Sequence, residues 1–195
     1  APPAMHRPRE LHGSEERAKT AYKEADDKVA WVPEQLPSGA VAPYLAGFGF
    51  EVLGPMKWSS QPQVELQLTV PGHRECIIGH TWYHIDCKLT SPGDDDQPVE
   101  WSAERRLCGL REHLHDRTKE LLGDAYDRHF GEAHFAPRGG MPGTTQRLDG
   151  WMRALAAAVN SGAVPPMLVG LILRFFEAPE PDAEKAFRRT QKVAK

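Results

Sequence analysis

The sequence predicts an α+β fold: a three-stranded antiparallel meander packed against a helical subdomain, with a proline-rich loop between the later helices. Two observations carry it. Three stretches in succession alternate apolar and polar residues with period two, "VELQLTV" (64–70), "TWYHIDCKL" (81–89) and "VEWSAER" (99–105), as half-buried strands do. From Leu107 the period switches to helical.

In chain order, residues 1–13 are rich in proline and charge and read as irregular. "SEERAKTAYKEADDKVAWV" (14–32) holds helix formers with alternating charge and reads as an exposed helix that docks on a partner. "PEQLPSGAVAP" (33–43) has three prolines and a glycine and reads as a linker, with a domain boundary near residue 45. The first strand follows. The second places Tyr83, Ile85 and Cys87 on one face, and "SPGDDDQ" (91–97) turns the chain into the third, where Val99, Trp101 and Ala103 alternate with Glu100, Ser102 and Glu104. Leu107, Leu110, Leu114 and Leu121 form one apolar stripe, and "GDAYDRHFGEAHF" (123–135) continues as a shorter helical or turn segment. "FAPRGGMPG" (135–143) has two prolines and three glycines in nine residues and reads as an extended loop. "TTQRLDGWMRALAAAVNSG" (144–162) has a threonine cap, a core stripe of Leu148, Trp151, Met152, Leu155 and Val159, and an Asn-Ser-Gly stop. Pro165 and Pro166 open a last core helix. The layout is an extension at 1–45, a domain at 46–179 and a basic tail at 180–195.

Composition narrows the function classes. With a net charge of −3 and a pI near 6.3, the chain lacks the basic balance of a nucleic-acid binder, so any anion site is local. The longest apolar run, "MLVGLILRFF", is interrupted by Arg174 and is shorter than a membrane span. An odd set of three cysteines (76, 87 and 108) is no disulfide framework and points to a reducing compartment. The chain begins with Ala, which reads as a fragment or a processed product.

Three short stretches in this order carry a family resemblance. "RRLCGL" (105–110) follows the third strand, "FAPRG" (135–139) lies in the proline-rich loop, and "RLDGWM" (147–152) opens the later helix. Together they resemble the phox-homology (PX) domain over residues 64–179, with its Arg-Arg-Tyr-Ser-Asp-Phe and Pro-Pro-Lys elements. The resemblance implies a module that binds a phosphoinositide headgroup, most often phosphatidylinositol 3-phosphate, on the cytosolic face of endosomal membranes. It implies Arg106 on the 3-phosphate, with Arg105 structural or auxiliary, and Arg138 on the other phosphate. Leu107 stands where the family's tyrosine stacks on the inositol. The second headgroup arginine falls on Thr144, with Arg147 nearby, and Met141 is the large apolar residue available for membrane contact. The apolar stripe resumes at Leu114, one residue late, which leaves the Arg105/Arg106 assignment open by one position.

Blander readings stand beside these. Arg105 and Arg106 also fit a surface pair bridging to Glu104 or Glu112, and Arg138 a solvated loop cation. Lys185, Arg188, Arg189 and Lys192 form a basic face on the tail, suited to an acidic membrane or partner or simply to solvent. Cys76, His80, His84 and Cys87, separated by three, three and two residues, hold zinc-ligand types, but His84 and Cys87 fall on opposite faces of a strand. The run of Asp94 to Asp96 lacks EF-hand spacing, and "GFGFEVLG" lacks the dinucleotide fingerprint. The expectation is no metal, no cofactor and no enzyme. Two functions remain: a phosphoinositide-binding module attached peripherally to membranes, or a docking subunit of a larger assembly with a weakened lipid pocket, holding a protein partner through residues 1–45.

Overall fold

The computed structural model describes residues 36–77, 79–92 and 97–180, which belong to one compact unit. The helix read at 14–32, the acidic turn at 93–96 and the tail beyond residue 180 lie outside them.

The meander forms as its alternation requires. Strands β3 (Glu65–Glu75), β4 (Thr81–Thr90) and β5 (Val99–Arg106) pair antiparallel in the order β3-β4-β5. Leu66, Leu68, Val70, Tyr83, Ile85, Cys87, Leu89 and Ala103 point into the core, while Lys88 and Glu100 pair across the other face at 2.8 Å. A small hairpin, β1 (Val52–Gly54) with β2 (Lys57–Trp58), precedes the sheet.

β3 runs five residues beyond the predicted strand. Pro71 and Gly72 mark a bulge between Thr69 and Gly72, after which pairing resumes through Glu75. An edge strand tolerates a proline at such a point because no ladder hydrogen bond is needed there. Helix α4 (Thr144–Asn160) lies along this edge and satisfies its outward backbone groups. Asn160 accepts from the Leu66 N–H and donates to its carbonyl, at 2.8 and 2.9 Å. Asp149 accepts from the Val70 N–H at 2.8 Å.

The segment read as a linker is largely a core helix, α1 (Ser38–Gly47). Pro43 removes one helical hydrogen bond, but Val41 and Leu45 are fully buried and Tyr44 stacks edge-on against Phe48. This face packs on α5 (Pro166–Phe175), where Gly170 lets Leu36 approach; a Cβ there would meet Leu36 Cδ1 at 3.0 Å. Between β5 and α4, helix α2 (residues 107–122) has a π-helical turn at Leu110–His115 flanked by α-helical turns. A 3₁₀ turn (Gly123–Ala125) and α3 (Tyr126–Phe130) complete the helices.

Candidate functional site

Strand alternation divides the arginine pair. Arg105 lies opposite Tyr83 and shares its inward face, whereas Arg106 lies opposite Trp82 on the outer face. Arg105 therefore reaches the C-terminal end of α5. Its Nε donates to the Phe175 carbonyl at 2.9 Å, Nη2 donates to the same oxygen, and Nη1 donates to the Glu104 carbonyl at 2.8 Å. The guanidinium also lies over the Phe175 ring and 3.4 Å from the Glu177 carboxylate. Burial pulls its pKa down, and Glu177 opposes this. Trp101, four residues earlier on the same face of β5, donates its indole N–H to the Phe176 carbonyl at 2.9 Å. Arg105 and Trp101 thus cap a helix whose last carbonyls need donors and whose dipole favours a cation. The surface-pair reading is overturned for Arg105; Glu104 is instead held by Arg74 at 2.6 and 2.7 Å.

Arg106 ends β5 in extended conformation, at the cap position of α2. Its neighbour on the outer face is Trp82, over which the Arg74 guanidinium lies at 5.7 Å. Leu107 is half-buried and packs on the core, so no side chain stands there to stack on a sugar ring.

Thr144 does not cap α4. The cap position is Gly143, with φ of 82°, and Thr144 donates its hydroxyl to the Met141 carbonyl at 2.6 Å while buried within the fold. Its neighbour Thr145 meets His73 Nδ1 on β3 at 2.8 Å. Arg147 is exposed on α4, and Arg138 is exposed in the loop, just before Gly139 and Gly140 at φ of 93° and 62°.

The His73–Thr145 contact and the sheet register bring the end of β3, the start of β4, the end of β5 and the start of α4 to one end of the sheet. Met141 is 57% exposed beside this end. Ile77, at the β3–β4 hairpin tip, is 90% exposed. Ile77 was not singled out from the sequence; the signal was an isoleucine pair in "ECIIGH", apolar residues at a turn. Arg111 was also missed. It lies 4.9 Å over the Phe135 ring and donates to the Ala136 carbonyl, fastening α2 to the root of the proline-rich loop.

The zinc-type residues do not converge. Cys87 is buried under the sheet, its thiol pushed up to about 12 by burial, while His84 pairs with Asp86 on the outer face at 2.9 Å. Among the described residues no three His, Cys, Asp or Glu side chains cluster as metal ligands, and no helix is long and apolar enough to cross a membrane.

No family model matches the chain, and no curated protein matches it. Among solved structures, the crystal structure of the mouse SNX19 PX domain with bound sulphate ion is similar to it. That similarity has a TM-score of 0.41 and 15% sequence identity, and covers 60% of this chain and 99% of that one. Likeness at this level carries nothing about ligand or site residues.

Proposed function

We propose that this chain is a PX-type module that attaches peripherally to a cytosolic, endosomal membrane face by holding a phosphoinositide headgroup, phosphatidylinositol 3-phosphate in the first instance. Arg106 takes the 3-phosphate and Arg138 a second phosphate, with Arg147 on the adjoining helix as a further cation. The observation that carries this reading is the division of the arginine pair: Arg105 is committed to the Phe175 carbonyl, while Arg106 lies on the opposite face at the strand-to-helix junction. A guanidinium on that face has the planar fork that matches phosphate oxygens. Met141 and Ile77, exposed at the same end, are the apolar groups that would meet the bilayer. The role is one of binding, not catalysis.

The test is vesicle flotation at near-physiological salt, with and without phosphatidylinositol 3-phosphate, for the native chain, Arg106→Ala and Arg138→Ala. The reading expects lipid-dependent binding that both substitutions reduce by about tenfold or more, as loss of a charge-assisted contact does. Native binding no greater than to plain lipid would overturn it.

A specific observation favours the second reading, a docking subunit with a weakened pocket. Leu107, half-buried against the core, and Thr144, buried, occupy the positions that would complete the headgroup site. On that reading the chain before α1 holds a protein partner, and vesicle binding is absent.

A further inference from the structure

The π-helical turn Leu110–His115 has a consequence for the proline-rich loop. A π turn takes up one more residue than an α turn, and Leu110 and Leu114, four apart within it, are both fully buried. The same spacing puts Arg111 and His115 together on the adjoining face, and both meet Phe135. The Arg111 guanidinium lies 4.9 Å over the Phe135 ring and donates to the Ala136 carbonyl. The His115 ring lies 4.4 Å from the Phe135 ring, with Trp151 of α4 edge-on to Phe135 at 5.1 Å. Ala136 is fully buried, whereas Pro137, Arg138 and the glycines after it are exposed. The loop therefore has a gripped root and an open tip.

We infer that this π-helical turn is a clamp that fixes the root of the 135–140 loop through Arg111 and His115, and so positions the Arg138 guanidinium. The positioning role rests on the reading of Arg138 as a headgroup cation; the clamp itself does not.

The arrangement couples to pH. His115 is surrounded by Asp116, Arg111 and Lys119 of its own helix, the Tyr126 phenol of α3, Trp151 of α4 and Phe135 of the loop. Burial is the largest influence and lowers its pKa; Asp116, hydrogen-bonded at 2.7 Å, opposes this, and Arg111 and Lys119 reinforce it. Opening the loop would take Phe135 off His115 and relieve part of that burial. As pH falls through the range in which histidine titrates, the open form takes up a proton more readily than the clamped form, so the clamp weakens toward acid pH.

The test is amide hydrogen exchange on the full chain, following the loop at 135–140 and β3 as an internal reference, alongside vesicle binding. At pH 7.5, Arg111→Met is expected to speed loop exchange by about tenfold or more, as loss of one charge-assisted hydrogen bond does, with β3 unchanged and Arg111→Lys restoring part of the protection. In the native chain, loop exchange corrected for its intrinsic pH dependence is expected to rise from pH 7.5 to 5.5, and His115→Gln to flatten that rise. Loop exchange in Arg111→Met equal to native overturns the clamp. If that variant unfolds, so that β3 exchanges equally fast, the native pH profile decides, and a flat one overturns the clamp. Vesicles containing phosphatidylinositol 3-phosphate separate the two claims. A native chain that fails to bind them overturns the lipid reading and leaves the clamp to the exchange data. Native-level binding by Arg111→Met with a loosened loop overturns the positioning role.

Discussion

Replacing Arg105 with alanine should destabilise the fold far more than replacing Arg106. Arg105 makes three hydrogen bonds to two backbone carbonyls and covers the Phe175 ring, with its side chain 16% exposed. The alanine variant strands the Phe175 carbonyl at a half-buried helix end, which costs about 1–3 kcal/mol. Loss of the cation at the helix C-terminus adds about 0.3–1 kcal/mol, and loss of the stack on Phe175 about 0.5–1 kcal/mol. Glu177 is 61% exposed, so its ion pair adds little. The sum is about 3 kcal/mol, equivalent to a fall of roughly 6–12 °C in Tm for a domain of this size. Arg106→Ala, which removes no side-chain cap hydrogen bond, should cost about 0.5–1 kcal/mol. Urea unfolding by circular dichroism, with midpoints compared at a common m value, measures both. Equal destabilisation by the two variants would refute the division of labour between the arginines, and so would an Arg105→Ala variant within about 0.5 kcal/mol of native.

Other outcomes follow from the same contacts. Asn160→Ala should cost about 2 kcal/mol, since it leaves both backbone groups of Leu66 without their partner; hydrogen exchange at Leu66 should quicken more than at β4 amides. With a thiol reagent at pH 8, exposed Cys108 should react readily, whereas Cys87, buried and with its thiol pushed up to about 12, should react only as fast as the sheet opens; equal rates would contradict the placement of Cys87. Vesicle binding should weaken steadily as salt rises from 0.05 to about 0.5 M, as arginine–phosphate attraction is screened; binding indifferent to salt would argue against Arg106 and Arg138 as its source.

The sheet was legible because alternation is a direct imprint of burial: each inward residue of β4 and β5 is one the period-two pattern selects. The misreadings have particular causes. In residues 33–43 the prolines and glycine outweighed a helical signal that was present, since Val41, Tyr44, Leu45 and Phe48 fall at three- and four-residue steps. Burial of that stripe outweighs the hydrogen bond lost at Pro43. Pro71 hid the second half of β3 because a bulge, which no local pattern announces, absorbs it. Thr144 had the right type for a cap but the wrong position, since Gly143 reaches the left-handed conformation the turn requires.

The π-helical turn at Leu110–His115 left no mark in the apolar spacing. Leu107, Leu110 and Leu114, three and four apart, would share one face of a regular α-helix too, so the π turn takes up an extra residue without being what buries them. That adjustment bears on the arginines upstream. Because the turn takes up the extra residue within the helix, the strand before it keeps its register, and strand parity alone decides which arginine faces inward. A deletion of one residue between Arg111 and His113 tests this directly. It should convert the π turn to an α turn while leaving Arg105 on Phe175, read as retained protection of β5 amides with faster exchange at 135–140. Loss of β5 protection in that variant would mean that the helix, not the strand, sets the register of the pair.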